Sequence, residues 1–215
     1  MTALDLFMQA CIVGMVLSAF LMASRMRLAS LASLYAVQSA FLAAAVALYA
    51  LRRHEAAALV MAVLIISLKV VLIPRFSVRA LRAQGVLERL SAFVRPTTLS
   101  FAAFAAVLFA SIVARPLAVT GASYVALASS VSLVLVGFLM LVSRRDMIGL
   151  GFGFLVVENG IFALGLALTG GMPLVVELGV FFDLSVLLIL LFALTRRAQR
   201  EHSSLATEYL SELIG

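Results

Sequence analysis

The 215-residue chain is 65% hydrophobic and 12% charged, with a formal net charge of +6 and a mean hydropathy of +1.20. Soluble domains are roughly 45–50% apolar, so this composition excludes a sizeable soluble domain and marks an integral membrane protein, nearly all of whose length can be assigned to spanning helices. A single cysteine, Cys11, and two distant histidines, His54 and His202, exclude the ligand sets of iron–sulfur clusters and haem, so no cofactor or metal is expected.

In chain order, seven apolar segments predict an all-α fold of seven transmembrane helices: Ala3–Ala23, Leu28–Leu51, Ala56–Ile73, Thr97–Ala114, Tyr124–Val142, Met147–Leu168 and Pro173–Leu194. The first lacks a basic stretch before it and an Ala-x-Ala site after it, and reads as a retained span, not a signal peptide. Alternating the connections places Arg25, Arg27, Arg75, Arg79, Arg82, Arg89, Arg95, Arg144, Arg145, Arg196, Arg197 and Arg200 on one side and only Arg52, Arg53 and Arg115 on the other. Because Lys and Arg accumulate on the cytoplasmic side, the N-terminus is expected outside and the C-terminus in the cytoplasm. The same rule explains the net charge without nucleic acid, since no aromatic-interleaved basic patch accompanies these arginines.

Between the third and fourth spans, Phe76, Ala80, Ala83, Leu87, Leu90 and Val94 recur at spacings of four and three, which predicts an amphipathic interfacial helix. It would lie at the headgroup boundary or dock on a partner subunit. Pro74 is expected to end the third span. A likeness between residues 16–25 and 134–144 suggests a repeat, dividing the chain into a three-helix unit with its interfacial helix (1–96), a connecting helix (97–119), a second three-helix unit (120–196) and a cytoplasmic tail (197–215).

The polar residues inside the spans carry the functional signal. An ionisable group at bilayer depth costs at least about 2.5 kcal/mol and usually marks an ion or proton pathway. Three acids, Glu158, Glu177 and Asp183, lie in the last hairpin, which turns at residues 169–173. Glu158 and Asp183 fall thirteen and twelve residues from Gly171, so at about 1.5 Å rise per residue both sit roughly 18–20 Å from the turn, near mid-membrane. Glu177 is closer to the outer face, pointing about 120° away from Asp183. The bland reading of each is a protonated acid bonded to a backbone carbonyl or to Asn159, holding helices together. Lys69, the chain's one lysine, lies close enough to the expected helix end at Pro74 to snorkel, or it is a buried amine tuning a neighbouring acid. Gln38, Ser39 and Tyr35 in the second span could hold waters, and Gly149 and Gly153 form a Gly-x-x-x-Gly pair suited to close helix approach.

The stretch from Arg144-Arg145 through Glu158 and Glu177 resembles the K-subunit type of respiratory complex I, with an arginine pair before two glutamate-bearing helices. Its longer relative, component E of hydrogenase-4-type membrane complexes, resembles the whole chain, including the Lys69–Pro74 segment. Counted from Arg144-Arg145 and Arg196, the K-subunit glutamates would fall near Leu155 and at Asp183, so either Glu177 or Asp183 inherits the second role. The resemblance implies a bacterial or archaeal cytoplasmic-membrane subunit that performs no bond chemistry itself. It would sit among antiporter-like subunits and a soluble redox arm, in a proton- or sodium-translocating hydrogenase, formate-hydrogenlyase or related complex. Glu158 would then be the central proton-exchanging acid, Glu177 or Asp183 the next station, and Lys69 a charge partner toward an adjoining subunit. The alternatives are a multisubunit cation/proton antiporter subunit and a structural membrane scaffold.

Overall fold

The structure, a computed structural model, describes residues 3–83, 92–118 and 123–169. The seventh expected span, with Glu177, Asp183 and the tail, lies outside these residues. Over the described residues the chain is all helical: α1 (Ala3–Ser24), α2 (Leu28–Arg53), α3 (Ala56–Ile65), a π-helical segment (Ile66–Leu72), α4 (Ile73–Ala83), α5 (Pro96–Leu117), α6 (Tyr124–Ser143) and α7 (Met147–Thr169). Among the described residues six helices are long and apolar enough to cross a membrane, with α3, the π segment and part of α4 counting as one span, Ala56–Arg79. Their ends fall close to those expected from hydropathy. This is a multi-pass membrane protein.

What is buried differs from what is exposed in the way a bilayer demands. Ala19, Ala32, Ala43, Ala45, Ala103, Ala110 and Ala163 lie between helices, whereas Phe101, Phe104, Phe109, Ile112 and Val142 face outward. Small residues let helices approach closely, and large apolar side chains are at no disadvantage against lipid. The α6–α7 hairpin carries this furthest. A Cβ added to Gly137 would stand 2.6 Å from the Val157 backbone nitrogen, and one on Gly160 would stand 2.7 Å from that of Val134. Gly153 likewise faces Leu141 of α6, but Gly149 meets Asp146 and Arg144 of its own turn. The expected Gly-x-x-x-Gly pair therefore contributes one helix-packing glycine. Gly137→Val is expected to push the two helices apart and cost about 1–3 kcal/mol, read as a lowered thermal midpoint of the detergent-extracted protein.

Consecutive long helices alternate direction, so the turns at 25–27 and 144–146 share one end of the bundle and Arg52, His54 and Asp5 share the other. At that second end Arg52 pairs with Asp5, and Gln9 Nε2 donates to Ser123 Oγ at 2.9 Å, tying α1 to the first turn of α6. His54, with φ of 56°, closes α2 in the left-handed region, its N–H donating to the Ala50 carbonyl.

The third span departs from expectation. Pro74 does not end it, and helix continues to Ala83. A proline ring clashes with the carbonyl four residues back and cannot donate to it. Here the turn before Pro74 widens: the Ile73 N–H donates to the Leu68 carbonyl, five residues back, and the helix passes through the proline. Helix covers Phe76–Ala83 of the stretch expected to form an interfacial helix, residues 84–91 lie outside the described residues, and residues 92–94 are not helical.

Candidate functional site

Four elements meet at the centre of the bundle. Met15 is the thirteenth residue of α1, Gln38 the eleventh of α2 and Glu158 the twelfth of α7, while Lys69 is the middle residue of the π segment. All lie about 14–17 Å along their helices from the 25–27 and 144–146 end, or, for Lys69, about 15 Å from Arg79, at 1.5 Å rise per residue. Lys69 is 1% exposed, Glu158 5%, and Gln38 and Asn159 0%. The snorkelling reading of Lys69 is thus corrected: with the helix running on past Pro74, its ammonium sits at mid-bundle, and its stem cannot reach either end.

Lys69 Nζ stands 2.9 Å from Glu158 Oε1 and donates to Asn159 Oδ1 at 3.0 Å. Asn159 Nδ2 donates to Gln38 Oε1 at 3.1 Å, and Gln38 Nε2 donates to the Met15 carbonyl at 3.2 Å. Glu158 and Lys69 are thus partners within this chain. Lys69 makes both contacts from the middle of the π segment.

Apolar residues enclose the cluster. On the side of the 25–27 and 144–146 end, Tyr35 and Phe152 meet edge to face, with centroids 5.6 Å apart at 72°. On the other side Leu42, Val46, Phe162 and Leu166 belong to the buried core. The other serines of these spans give little to the cluster, since Ser18, Ser67, Ser130 and Ser132 return their hydroxyls to carbonyls of their own helices. Ser39, beside Gln38, has a buried hydroxyl with no hydrogen-bond partner among the described residues. No group of three or more His, Cys, Asp or Glu that could hold a metal occurs among the described residues.

A second constellation supports the first. Arg144 is buried, and its guanidinium forks onto the end of α1: Nη2 donates to the carbonyls of Arg25 at 2.7 Å, Met22 at 3.3 Å and Ala23 at 3.4 Å, and Nη1 to Met26 Sδ at 3.0 Å. Burial pulls this guanidinium below its ordinary value, and the nearby Asp146 carboxylate opposes that shift. Asp146 also caps α7, its Oδ1 accepting from the Gly149 N–H at 2.6 Å. Arg145 lies outside, its guanidinium 4.0 Å above the Phe93 ring, while the Phe93 N–H donates to the Ser143 carbonyl at 2.8 Å. The arginine pair is therefore split: one residue fixes the end of α1 against the α6–α7 turn, the other pins the segment leading into α5.

Sequence reasoning named Lys69, Glu158, Asn159 and Gln38 separately, and the structure brings all four together; Glu177 and Asp183 fall outside the described residues. The Met15 carbonyl, the π turn and the burial of Arg144 were missed. Only the π turn had a sequence signal, a proline between an apolar run and an amphipathic helical pattern that continues beyond it.

No protein-family profile matches the chain, and no solved structure matches it. Among curated proteins, an uncharacterized protein of Mycobacterium tuberculosis is 28% identical over 208 residues, covering 93% of this chain and 92% of that one. Hydrogenase-4 component E of Escherichia coli K12 is 30% identical over 151 residues, covering 68% of this chain and 69% of that one, and component E of Shigella flexneri aligns equally. With that identity over two thirds of both proteins, on a framework of six membrane-length helices, the chain belongs to the hydrogenase-4 component E family.

Proposed function

We propose that the chain is a non-redox membrane subunit of a proton- or sodium-translocating complex of the hydrogenase-4, formate-hydrogenlyase or complex I type, and that Lys69 and Glu158 form one station of its ion pathway. The observation that carries this reading is a sequestered Lys–Glu pair at mid-bundle in a component E family member. A scaffold needs no ionisable groups there, since Ser or Asn would bond helices without the cost of burying charge. An acid–amine pair offers two sites between which a proton can be passed or to which a passing ion's charge can couple.

In this reading the arginine-rich end of the bundle faces the cytoplasm of a bacterial or archaeal cell, the N-terminus lies outside, and the seventh helix brings Glu177 or Asp183 as the next station. The amphipathic α4 begins the interfacial helix expected after the third span, and residues 120–196 act as the unit likened to the K subunit. The partners are antiporter-like and complex I-like membrane subunits and a soluble redox arm, which holds every redox centre. Membership of such a complex is tested by copurification: a tagged chain is expected to bring down iron–sulfur and large hydrogenase-like subunits, and capture of antiporter subunits alone would favour the cation/proton antiporter. The site is tested by Glu158→Gln, expected to leave the complex assembled while abolishing coupled ion movement in membrane vesicles. Unchanged ion movement would refute the pathway role.

A further inference from the structure

The amide groups beside the ion pair are arranged with a direction, and the direction is set far from the charges. A backbone carbonyl can only accept a hydrogen bond. The Met15 carbonyl, which already takes the Ser18 hydroxyl at 2.8 Å, therefore obliges Gln38 to present Nε2 to it at 3.2 Å. That turns Gln38 Oε1 toward α7, where it accepts from Asn159 Nδ2 at 3.1 Å, and this in turn leaves Asn159 Oδ1 aimed at Lys69 Nζ, 3.0 Å away. Each amide has one orientation compatible with its neighbour, and reversing either would set two donors or two acceptors face to face.

We infer that Gln38 and Asn159 are positioning residues for the Lys69–Glu158 pair, forming an amide brace anchored on the Met15 carbonyl that presents a fixed, non-titrating acceptor to the Lys69 ammonium. The inference rests on the pathway reading of that pair. The brace gives the ammonium a hydrogen bond that persists when Glu158 takes up a proton and ceases to be a counter-ion, so the lysine stays at the centre of the bundle through the cycle. The brace is not itself a route: amides exchange protons poorly, and the chain ends on a carbonyl that has no proton to give. Ions therefore enter and leave the pair from its other sides.

Both amides are fully buried, and their helices carry ample apolar packing around them, with Tyr35 and Leu42 flanking Gln38 and Phe152 and Phe162 flanking Asn159 on the same helices. Gln38→Met, which keeps side-chain length, should thus assemble.

The test uses membrane vesicles holding the assembled complex, with two readouts: coupled ion movement, and the infrared carboxyl band assigned to Glu158 by its loss in Glu158→Gln, recorded at one neutral pH. Gln38→Met is expected to leave the assembled amount unchanged, lower coupled ion movement on the order of tenfold, as loss of orientation in a hydrogen bond to a charged group implies, and change the Glu158 band. Asn159→Leu is expected to do the same or more. Because Gln38 acts only through Asn159, the double variant should be no worse than Asn159→Leu alone. Normal ion movement and an unchanged band in Gln38→Met would overturn the inference, as would additive losses in the double variant. Failure of both Gln38→Met and Gln38→Leu to assemble would also overturn it, since the chain would then serve folding alone. If Glu158→Gln moves ions normally, the pathway reading fails first; if only the Gln38 variants are normal, that reading stands and the brace falls.

Discussion

Lys69→Met should destabilise the protein by about 3–5 kcal/mol, the cost expected when one partner of a buried ion pair is removed and the other charge is left uncompensated. The geometry gives the carboxylate little relief. Glu158 sits at the twelfth residue of a 23-residue helix, 5% exposed, with no helix end within a side chain's reach. Methionine fills the space of the lysine stem, so the loss is one of charge and hydrogen bonding and not of packing volume. Neutralising both partners, as Lys69→Met with Glu158→Gln, should recover most of that loss, because replacing a buried pair by uncharged groups of similar volume is often close to neutral. The measurement is the thermal midpoint of the purified protein for the single and double variants. Equal midpoints in wild type and Lys69→Met would mean that the ammonium does not compensate Glu158 in the folded protein.

The second large effect belongs to Arg144. Its guanidinium reaches carbonyls at the C-terminal end of α1, those of Met22 and Ala23 in its last turn and of Arg25 just beyond it, and it does so from the turn between α6 and α7. A cation at a helix C-terminus is favoured by the helix dipole as well as by the bonds themselves, up to about 2 kcal/mol in partly buried geometry. Arg144→Met should therefore cost about 2–4 kcal/mol, adding the hydrogen bonds of a charged donor to the dipole contribution. Arg144→Lys should recover little, since an ammonium cannot fork across several carbonyls as a planar guanidinium does. Arg145→Ala is the control. Its guanidinium is exposed over Phe93, and a cation–π contact of that kind is worth about 0.5–1 kcal/mol. Comparable losses at the two positions would contradict the division of roles.

These two sites show what could be read from sequence and what could not. Span positions follow from runs of apolar residues, and each of the six described spans starts or ends within a few residues of where hydropathy puts it. Depth along a helix follows from counting, which is why Glu158 could be placed near mid-membrane. Azimuth does not follow. Lys69 and Glu158 are 2.9 Å apart only because α2, α7 and the π segment pack as neighbours with particular rotations, and rotation in a bundle is decided by small-residue contacts such as Gly137 on Val157. Apolar residues all around a helix leave no stripe from which to read that rotation.

Lys69 is the sharper case. Local rules end a helix near a proline, and from that boundary a lysine five residues earlier should reach water. The tertiary structure keeps the helix intact by widening one turn, so the lysine lies within a continuing helix, beside an acid of α7. For Arg144, loop charge alone accounted for its presence, so its burial left no trace in composition. Gln38 and Asn159 were legible as polar residues in apolar helices, but their joint orientation depends on a backbone carbonyl, which no side-chain pattern records.

The central claim is that the buried pair moves ions and does more than hold helices together. The most direct test is coupled ion movement in vesicles carrying the Lys69→Met, Glu158→Gln double variant, in which the charge imbalance of either single change is removed. The expected result is a complex that assembles to wild-type amounts, retains its stability and moves no ions; ion movement at the wild-type rate would show that the pair is structural.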